Sequence, residues 1–302
     1  MKKRFIALAL LLTVALSAYN YIDPTGDSDF TITFIDVGQG DSALIQCDGA
    51  FMLIDGGDTD AAEAVARTLQ ENHVTELDFL VASHMHEDHI GGFVHGLDNI
   101  IKIDRTLSNT KSADTKVFEK FNRRIQELGS RIEVPKNGTT YQLGSAEVTV
   151  VDVSTKDDND SLVLLITYGK TTFLFTGDIE KAAHSRVAEA LRSPAISAKL
   201  ASCVNLIKMP HHGAYNSDRF LPDNAWDNSL YTLIDASWAT YFVISVGENN
   251  KYDHPHENTL QIINKLLQVH DLDPATHLFR TDMRGNIVVT SDGTKLEITT
   301  QK

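Results

Sequence analysis

The stretch LDFLVASHMHEDHIGG, residues 77–92, decides how the rest of the chain is read. Leu77 to Ala82 is a continuous apolar run, too short for a helix and closed by polar residues, which is the pattern of a buried strand. His84, His86, Asp88 and His89 follow at once, before Gly91-Gly92. A locally extended backbone turns side chains two apart to one side, so His84 and His86 share a face. Imidazole and carboxylate together are the donor set of borderline and hard divalent ions, and four such groups this close suit one or two ions. Any one of these histidines alone reads as part of a solvated loop. The H-x-H-x-D-H spacing directly after a buried strand makes a metal site the better reading.

The 302 residues and 42% hydrophobic content suffice for one large domain or two small ones. With 27 Lys and Arg against 41 Asp and Glu, the net charge of −14 argues against a surface that grips nucleic acid along its length. It leaves a phosphate-bearing substrate open, because bound cations can be the largest local charges in a site. Residues 1–18 place Lys2, Lys3 and Arg4 ahead of an apolar run from Phe5 to Leu16, then Ser17 and Ala18, and read as a signal peptide. The run is short of the ~20 residues of a spanning helix, so no transmembrane segment is expected in the mature chain. The expected location is secreted or in the cell envelope, with residues 19–29 as a tether and 30–302 as one domain. In an exported protein Cys47 and Cys203 either pair or remain buried thiols, and both options stay open.

Phe30 to Val37, Ser42 to Cys47 and Phe51 to Ile54 read as a three-stranded meander, with a turn at Gly38-Gln39-Gly40-Asp41. Asp60 to Asn72 carries a helical apolar stripe, Ile100 to Ile103 a strand, and Lys116 to Leu128 an amphipathic helix. Ala146 to Val153 is a strand, Lys156 to Asp160 a polar turn, and Ser161 to Tyr168 with Thr171 to Thr176 a hairpin. A helix from Ile179 to about Leu191 follows Gly177-Asp178, and strand Val204 to Met209 runs into Pro210-His211-His212-Gly213. Tyr241 to Val246 is a strand, His256 to Val269 a helix, and Asn286 to Thr290 with Lys295 to Thr299 a final hairpin. No Pro/Gly/Ser-rich linker divides this series, so the fold class is α/β: two sheets packed face to face with helices outside. Taken alone, Asp178 suits a helix N-cap and His211-His212 a surface pair. Together with the first motif they point to one site at the strand ends.

HMHEDHIGG resembles the H-x-H-x-D-H signature of metallo-β-lactamase-fold hydrolases, and FIDVGQGDSALIQ, LIDGG, FLFTGD and MPHHG resemble the other blocks of that superfamily in order. With VISVGENNKYDHPHENTL, residues 30–299 look most like the hydrolase domain of ComEC-type competence proteins and their free-standing relatives. The resemblance implies an αββα sandwich and two divalent metal ions. His84 and His86 would bind the first ion, Asp88 and His89 the second, and Asp178 would bridge them. His212 would complete the second site, with His211 as its substitute, and Asp55 would orient ligands without being one. Tyr252, His254 and His256 resemble a late block near the substrate, where an N-cap or solvated-loop role serves as well. Lactamases take a further histidine where this chain has Asp158-Asn159-Asp160-Ser161, so Asp160, Asn159 or water stands in and the first site is open or weaker. Mn²⁺ or Mg²⁺ then competes with Zn²⁺. Ala214 replaces a serine frequent in the family's HHGS, which puts one contact in doubt.

Such a site implies a metal-bound hydroxide at neutral pH, a second ion at the leaving oxygen, and Asp88 or Asp178 orienting the water or accepting its proton. The expected function is an exported metal-dependent phosphodiesterase or nuclease acting on a phosphate-ester substrate. The alternatives are a metal-bearing binding module without catalysis, a phosphocholine-type esterase, or a β-lactam hydrolase. Outside residues 1–18 no Lys/Arg cluster is longer than Arg123-Arg124, which leaves Lys208, Lys251, His254 and His256 as local groups for a polyanion. The expectation is weak, metal-dependent action on single strands, without tight duplex binding.

Overall fold

The computed structural model describes residues 30–156, 159–200, 203–214 and 229–302. The signal-peptide and tether readings and Asp158 lie outside them. Among the described residues an eight-stranded sheet runs in the order β15-β14-β1-β2-β3-β4-β5-β6 and a seven-stranded sheet in the order β13-β12-β11-β10-β9-β8-β7. The first sheet holds β1 (Phe30–Phe34), β2 (Ser42–Cys47), β3 (Ala50–Gly56), β4 (Glu76–Ala82), β5 (Lys102–Ser108) and β6 (Ile132–Glu133), closed by β14 (Ile287–Ser291) and β15 (Leu296–Thr300). The second holds β7 (Thr140–Leu143), β8 (Ala146–Asp152), β9 (Val163–Tyr168), β10 (Thr171–Phe175), β11 (Leu206–Lys208), β12 (Tyr241–Ile244) and β13 (Leu278–Arg280).

The two sheets bury their facing side chains against each other, Phe30 on Phe173 at 5.0 Å and Phe34 on Phe175 at 5.7 Å between ring centroids. Helices Ala62–Glu71 and Lys116–Glu127 cover the outer face of the first sheet, and Lys181–Arg192, Ser229–Ser237 and Glu257–Val269 that of the second. This is the expected αββα sandwich. Strands β3 to β6 are parallel, as are β10 to β13, so within each run the C-terminal ends gather at one edge.

The structure differs from the sequence reading in several places. The strand expected at Ile100 to Ile103 runs instead over Lys102–Ser108, because its polar end is buried between neighbours, with Thr106 Oγ1 2.8 Å from Ser130 Oγ. The short strands β6, β7 and β13 lack a strong apolar pattern and were not expected. The helix after Asp178 starts only at Lys181, since the Asp178 amide donates to Ser161 Oγ at 3.0 Å and the Ile179 carbonyl meets His184 Nε2 at 2.8 Å. Glu180, not Asp178, takes the N-cap position. Cys47 and Cys203 are both free thiols.

The ligand-rich loop is clamped by a glycine contact. Gly92 donates its amide to the Gly57 carbonyl at 3.0 Å, and a Cβ on Gly92 would be driven into the carbonyl oxygen of Gly56. Backbone cannot move aside as a side chain can, so Gly92→Ala is expected to cost about 1–3 kcal/mol or more. Gly138→Ala, at a left-handed turn residue with nothing within 4 Å, is the control, expected to cost about 1 kcal/mol from backbone strain alone. Thermal unfolding in chelator compares them, and a Gly92→Ala melting point no lower than the control's would contradict a tight clamp.

Candidate metal centre

The C-terminal ends of β3, β4, β10, β11 and β12 deliver, in that order, Asp55, the loop from Ser83 to His89, Asp178, the turn Pro210–Gly213, and Ser245. His86 precedes the short helix Glu87–Ile90, which winds Asp88 and His89 back over the strand ends. In the second sheet His211 (φ 49°) and His212 (φ 53°) both adopt the left-handed conformation. Two consecutive non-glycine residues there are strained by of order 1–3 kcal/mol each, a cost that clusters at functional sites. It is this turn that swings His212 inward while His211 stays at the rim.

Ligand atoms of Asp88, His89, Asp178 and His212 all lie within 4.8 Å of one another. His89 Nε2 is 3.2 Å from Asp178 Oδ2, and His212 Nε2 is 3.4 Å from the same oxygen and 3.3 Å from Asp88 Oδ2. Both nitrogens are buried and lack a hydrogen-bond partner, as do His84 Nε2 and Asp178 Oδ1. Donor atoms that approach this closely without hydrogen-bond geometry converge on a common point. The edge of a tetrahedron with bonds of ~2.1 Å is about 3.4 Å, so the spacing fits a four-coordinate divalent ion.

The opposite ring nitrogen of each imidazole is held by the protein. His89 Nδ1 lies 2.9 Å from Asp55 Oδ2, and Asp55 Oδ1 takes the Ser83 amide at 2.7 Å. His212 Nδ1 lies 3.0 Å from the Ser245 carbonyl and 3.2 Å from Asp41 Oδ1. His84 Nδ1 lies 3.2 Å from Ser83 Oγ and 3.5 Å from Ser161 Oγ. An acceptor at Nδ1 fixes the tautomer that leaves Nε2 free to coordinate.

Burial disfavours charge on His89, yet Asp178 and Asp55 outweigh it and hold its pKa well above the usual histidine range. His212 behaves alike, burial being overcome by Asp178 and Asp41. Burial works against ionised Asp178 too, but the charges of His89 and His212 bring its carboxyl well below the usual range. His84 is pushed well below its ordinary value, first by burial and then by the neighbouring His89 charge.

His84 and His86 flank the cluster, the His84 ring 4.2 Å from that of His89 and 4.5 Å from that of His86, which is exposed. His211 sits at the rim, Nε2 3.8 Å from Asp178 Oδ2 and Nδ1 2.5 Å from Glu180 Oε1. Tyr252 and His254 stack at 5.5 Å beside it, with the His254 ring 5.6 Å from that of His211. Asp160 is not drawn into the cluster: its Oδ1 takes Arg186 at 2.7 Å and its Oδ2 the Lys156 amide at 2.9 Å. Asn159 donates to Glu180 at 3.0 Å. Ser161 is the residue of that segment that reaches His84.

Asp41 went unassigned in the sequence, and Lys208, expected as a surface group for a polyanion, is instead buried and paired with Asp41. Asp41, read as a turn residue, is buried against His212. Lys208 Nζ lies 4.0 Å from Asp178 Oδ1. A lysine inside the apolar run NLIKMP was the available signal, because such a charge needs a buried counter-charge.

Asp55→Asn is expected to weaken metal binding about 10–100-fold in chelator competition, while Asp160→Asn, whose partner is Arg186, leaves it within about twofold. An equal loss in both would show that Asp160 also supports the ion, against its placement on Arg186. Because His89 and His212 hold protons in the metal-free state, metal uptake at neutral pH is expected to release about two protons, and affinity rises with pH toward their raised pKa values. Calorimetry in buffers of different ionisation enthalpy measures this, and heats independent of buffer would contradict it.

The sequence pattern of the metallo-beta-lactamase superfamily matches residues 35–242. ComE operon protein 3 of Bacillus subtilis (strain 168) is 27% identical over 289 residues, covering 88% of this chain and 34% of that protein. Competence protein ComA of Neisseria gonorrhoeae is 26% identical over 280 residues, covering 92% of this chain and 34% of that protein. The chain thus spans about a third of the length of these curated relatives. A CmlA beta-hydroxylase mutant superposes with a TM-score of 0.51 at 14% identity, covering 87% of this chain and 54% of that one. Tm1679, a metal-dependent hydrolase of the beta-lactamase superfamily, superposes at 0.50 and 12% identity, covering 83% and 94%. These two solved structures share the fold, the family pattern spans more than half of the sequence, and the chain belongs to the metallo-β-lactamase superfamily.

Proposed function

We propose that the protein is an extracytoplasmic, metal-dependent phosphodiesterase that accepts single-stranded nucleic acid. The observation that carries this reading is the convergence of buried, unpartnered Nε2 atoms of His89 and His212 on the carboxylates of Asp178 and Asp88. Asp88, His89 and His212 would hold one divalent ion, Zn²⁺ or Mn²⁺, with Asp178 shared with a second ion beside His84 and His86. Such ions supply Lewis-acid charge and lower the pKa of a coordinated water. Resemblance to a competence protein favours a nucleic-acid substrate over a β-lactam. The signal-peptide reading of residues 1–18 supports action outside the cytoplasm.

The chain's own groups divide the remaining work. Asp88, with its side chain 29% exposed, is the carboxylate that substrate reaches, and it orients the attacking water. Asp178 is buried and fixes the spacing of His89 and His212. Lys208, ion-paired with Asp41 beneath the cluster, holds that carboxylate against His212 and so positions the ligand. His211, held by Glu180, and the stacked pair Tyr252 and His254 line the rim on which the substrate rests.

Asp178→Asn distinguishes catalysis from a structural ion. With bis(p-nitrophenyl) phosphate and added Zn²⁺, Mn²⁺ or Mg²⁺, the substitution is expected to lower kcat at least about 100-fold while the fold is retained. A lowered melting temperature, with no metal-dependent turnover in the parent protein, would instead identify a metal-bearing module without catalysis.

A further inference from the structure

A groove of about 680 Å³ opens directly onto the proposed ligands His86 and Asp88. Its lining includes Tyr252 and, from helix Lys116–Glu127, Lys116 and Lys120. These two lysines are one helical turn apart, and Arg123 continues the same face at i+7, so the three cations run on the order of 10 Å along the helix. All three are exposed, and among the described residues none makes an ion pair. Arg124, one position round the helix, shows the contrast: it is tied to the Leu97 carbonyl at 2.9 Å and Glu127 at 3.4 Å. In a chain of net charge −14, Lys116 and Lys120 are unpaired cations lining a groove at the proposed metal centre, with Arg123 continuing their face beyond the groove and Glu119 and Glu127 beside them on the same helix.

The groove's lining also carries two carboxylates, Glu87 and Asp88, so the lysines meet a mixed surface and not a purely basic one. Glu87 accepts from Thr59 Oγ1 at 3.0 Å, and Asp88 belongs to the cluster. The Tyr252 ring is half exposed, stacked on His254 and approached by Lys251 Nζ at 4.9 Å from its centroid. An exposed aromatic ring and unpaired lysines lining one groove are the two kinds of group that hold the base and the phosphate of a single strand.

We infer that this groove is the binding track for single-stranded nucleic acid, with Lys116, Lys120 and Arg123 holding successive phosphates and Tyr252 stacking a base next to the scissile phosphodiester. The inference rests on the proposed phosphodiesterase reading for its orientation, but the binding itself needs neither metal nor turnover. Spacing by helical period keeps these cations apart in the sequence, where no run exceeds Arg123-Arg124.

Fluorescence anisotropy of labelled (dT)12 with the EDTA-treated full chain tests it. Three phosphate contacts predict a slope of log K against log salt of about −2, and Lys116→Ala/Lys120→Ala is expected to flatten it to about −0.7 and weaken binding at least tenfold. Tyr252→Ala is expected to weaken binding about tenfold without changing the slope. Circular dichroism and melting temperature confirm that each variant is folded. Binding and slope unchanged in the double-lysine variant overturn the inference, even if the parent protein hydrolyses phosphodiesters. Loss of binding in that variant upholds it even if no turnover is ever found. A base-free glycerol phosphate polymer that competes as well as (dT)12, with no effect of Tyr252→Ala, overturns the assignment to nucleic acid.

Discussion

The carboxylate of Asp178 set between the imidazoles of His89 and His212 is the contact on which the site depends. Asp178 and His212 come from the second sheet and His89 from the first, so the cluster exists only while the two sheets keep their spacing and register. That spacing is set at a distance by the phenylalanine pairs of β1 and β10 between the sheets. The apolar core and the polar centre are thus two ends of one construction: packing places the strand ends, and the strand ends place the donors.

Holding these groups together has an energetic cost that is met locally. Four carboxylates, Asp41, Asp55, Asp88 and Asp178, crowd one edge of the sandwich, three of them almost fully buried. Left unpaired they would repel one another and lose hydration. Lys208 offsets part of this through Asp41, and the histidines offset more by retaining protons. The left-handed pair His211 and His212 adds backbone strain. A site that gathers carboxylates in this way is arranged for a ligand that offsets their charge, and a divalent cation does so.

Much of this was legible in the sequence, and the reasons differ by residue. The motif at His84 to His89 follows a strand with an unambiguous apolar run, so both the strand and its loop could be placed. Asp178 and the pair His211-His212 stood out because they too follow apolar strands, while the preference for His212 came from the family resemblance, and Glu180, not Asp178, holds the N-cap position that Asp178 also suited. Asp41 escaped, and Lys208 was read as a surface cation, because their partners lie far away in the chain and burial of a charge is a tertiary fact. Asp160, Asn159 and water were left open as stand-ins because a tertiary partner is invisible in sequence; in the structure Arg186 on the neighbouring helix takes Asp160. The segment Thr106 to Ser108 misled for the converse reason, being polar by type yet buried by sheet position.

The placement of the cluster has a topological consequence. An ion held by residues from the 84–89 loop, by Asp178 and by His212 would tie together points far apart along the chain, as a covalent cross-link does. Its stabilising effect would come partly from the unfolded side, by removing the entropy of closing those long loops. The tie joins the sandwich at one edge only, while the far edge is held by packing and by hydrogen bonds such as Thr171 Oγ1 to Ser291 Oγ at 2.8 Å and the Lys170 amide to the Gly293 carbonyl at 2.6 Å. Metal content would therefore govern how readily the two sheets part at the mouth of the site, and with it the order in which the chain comes undone.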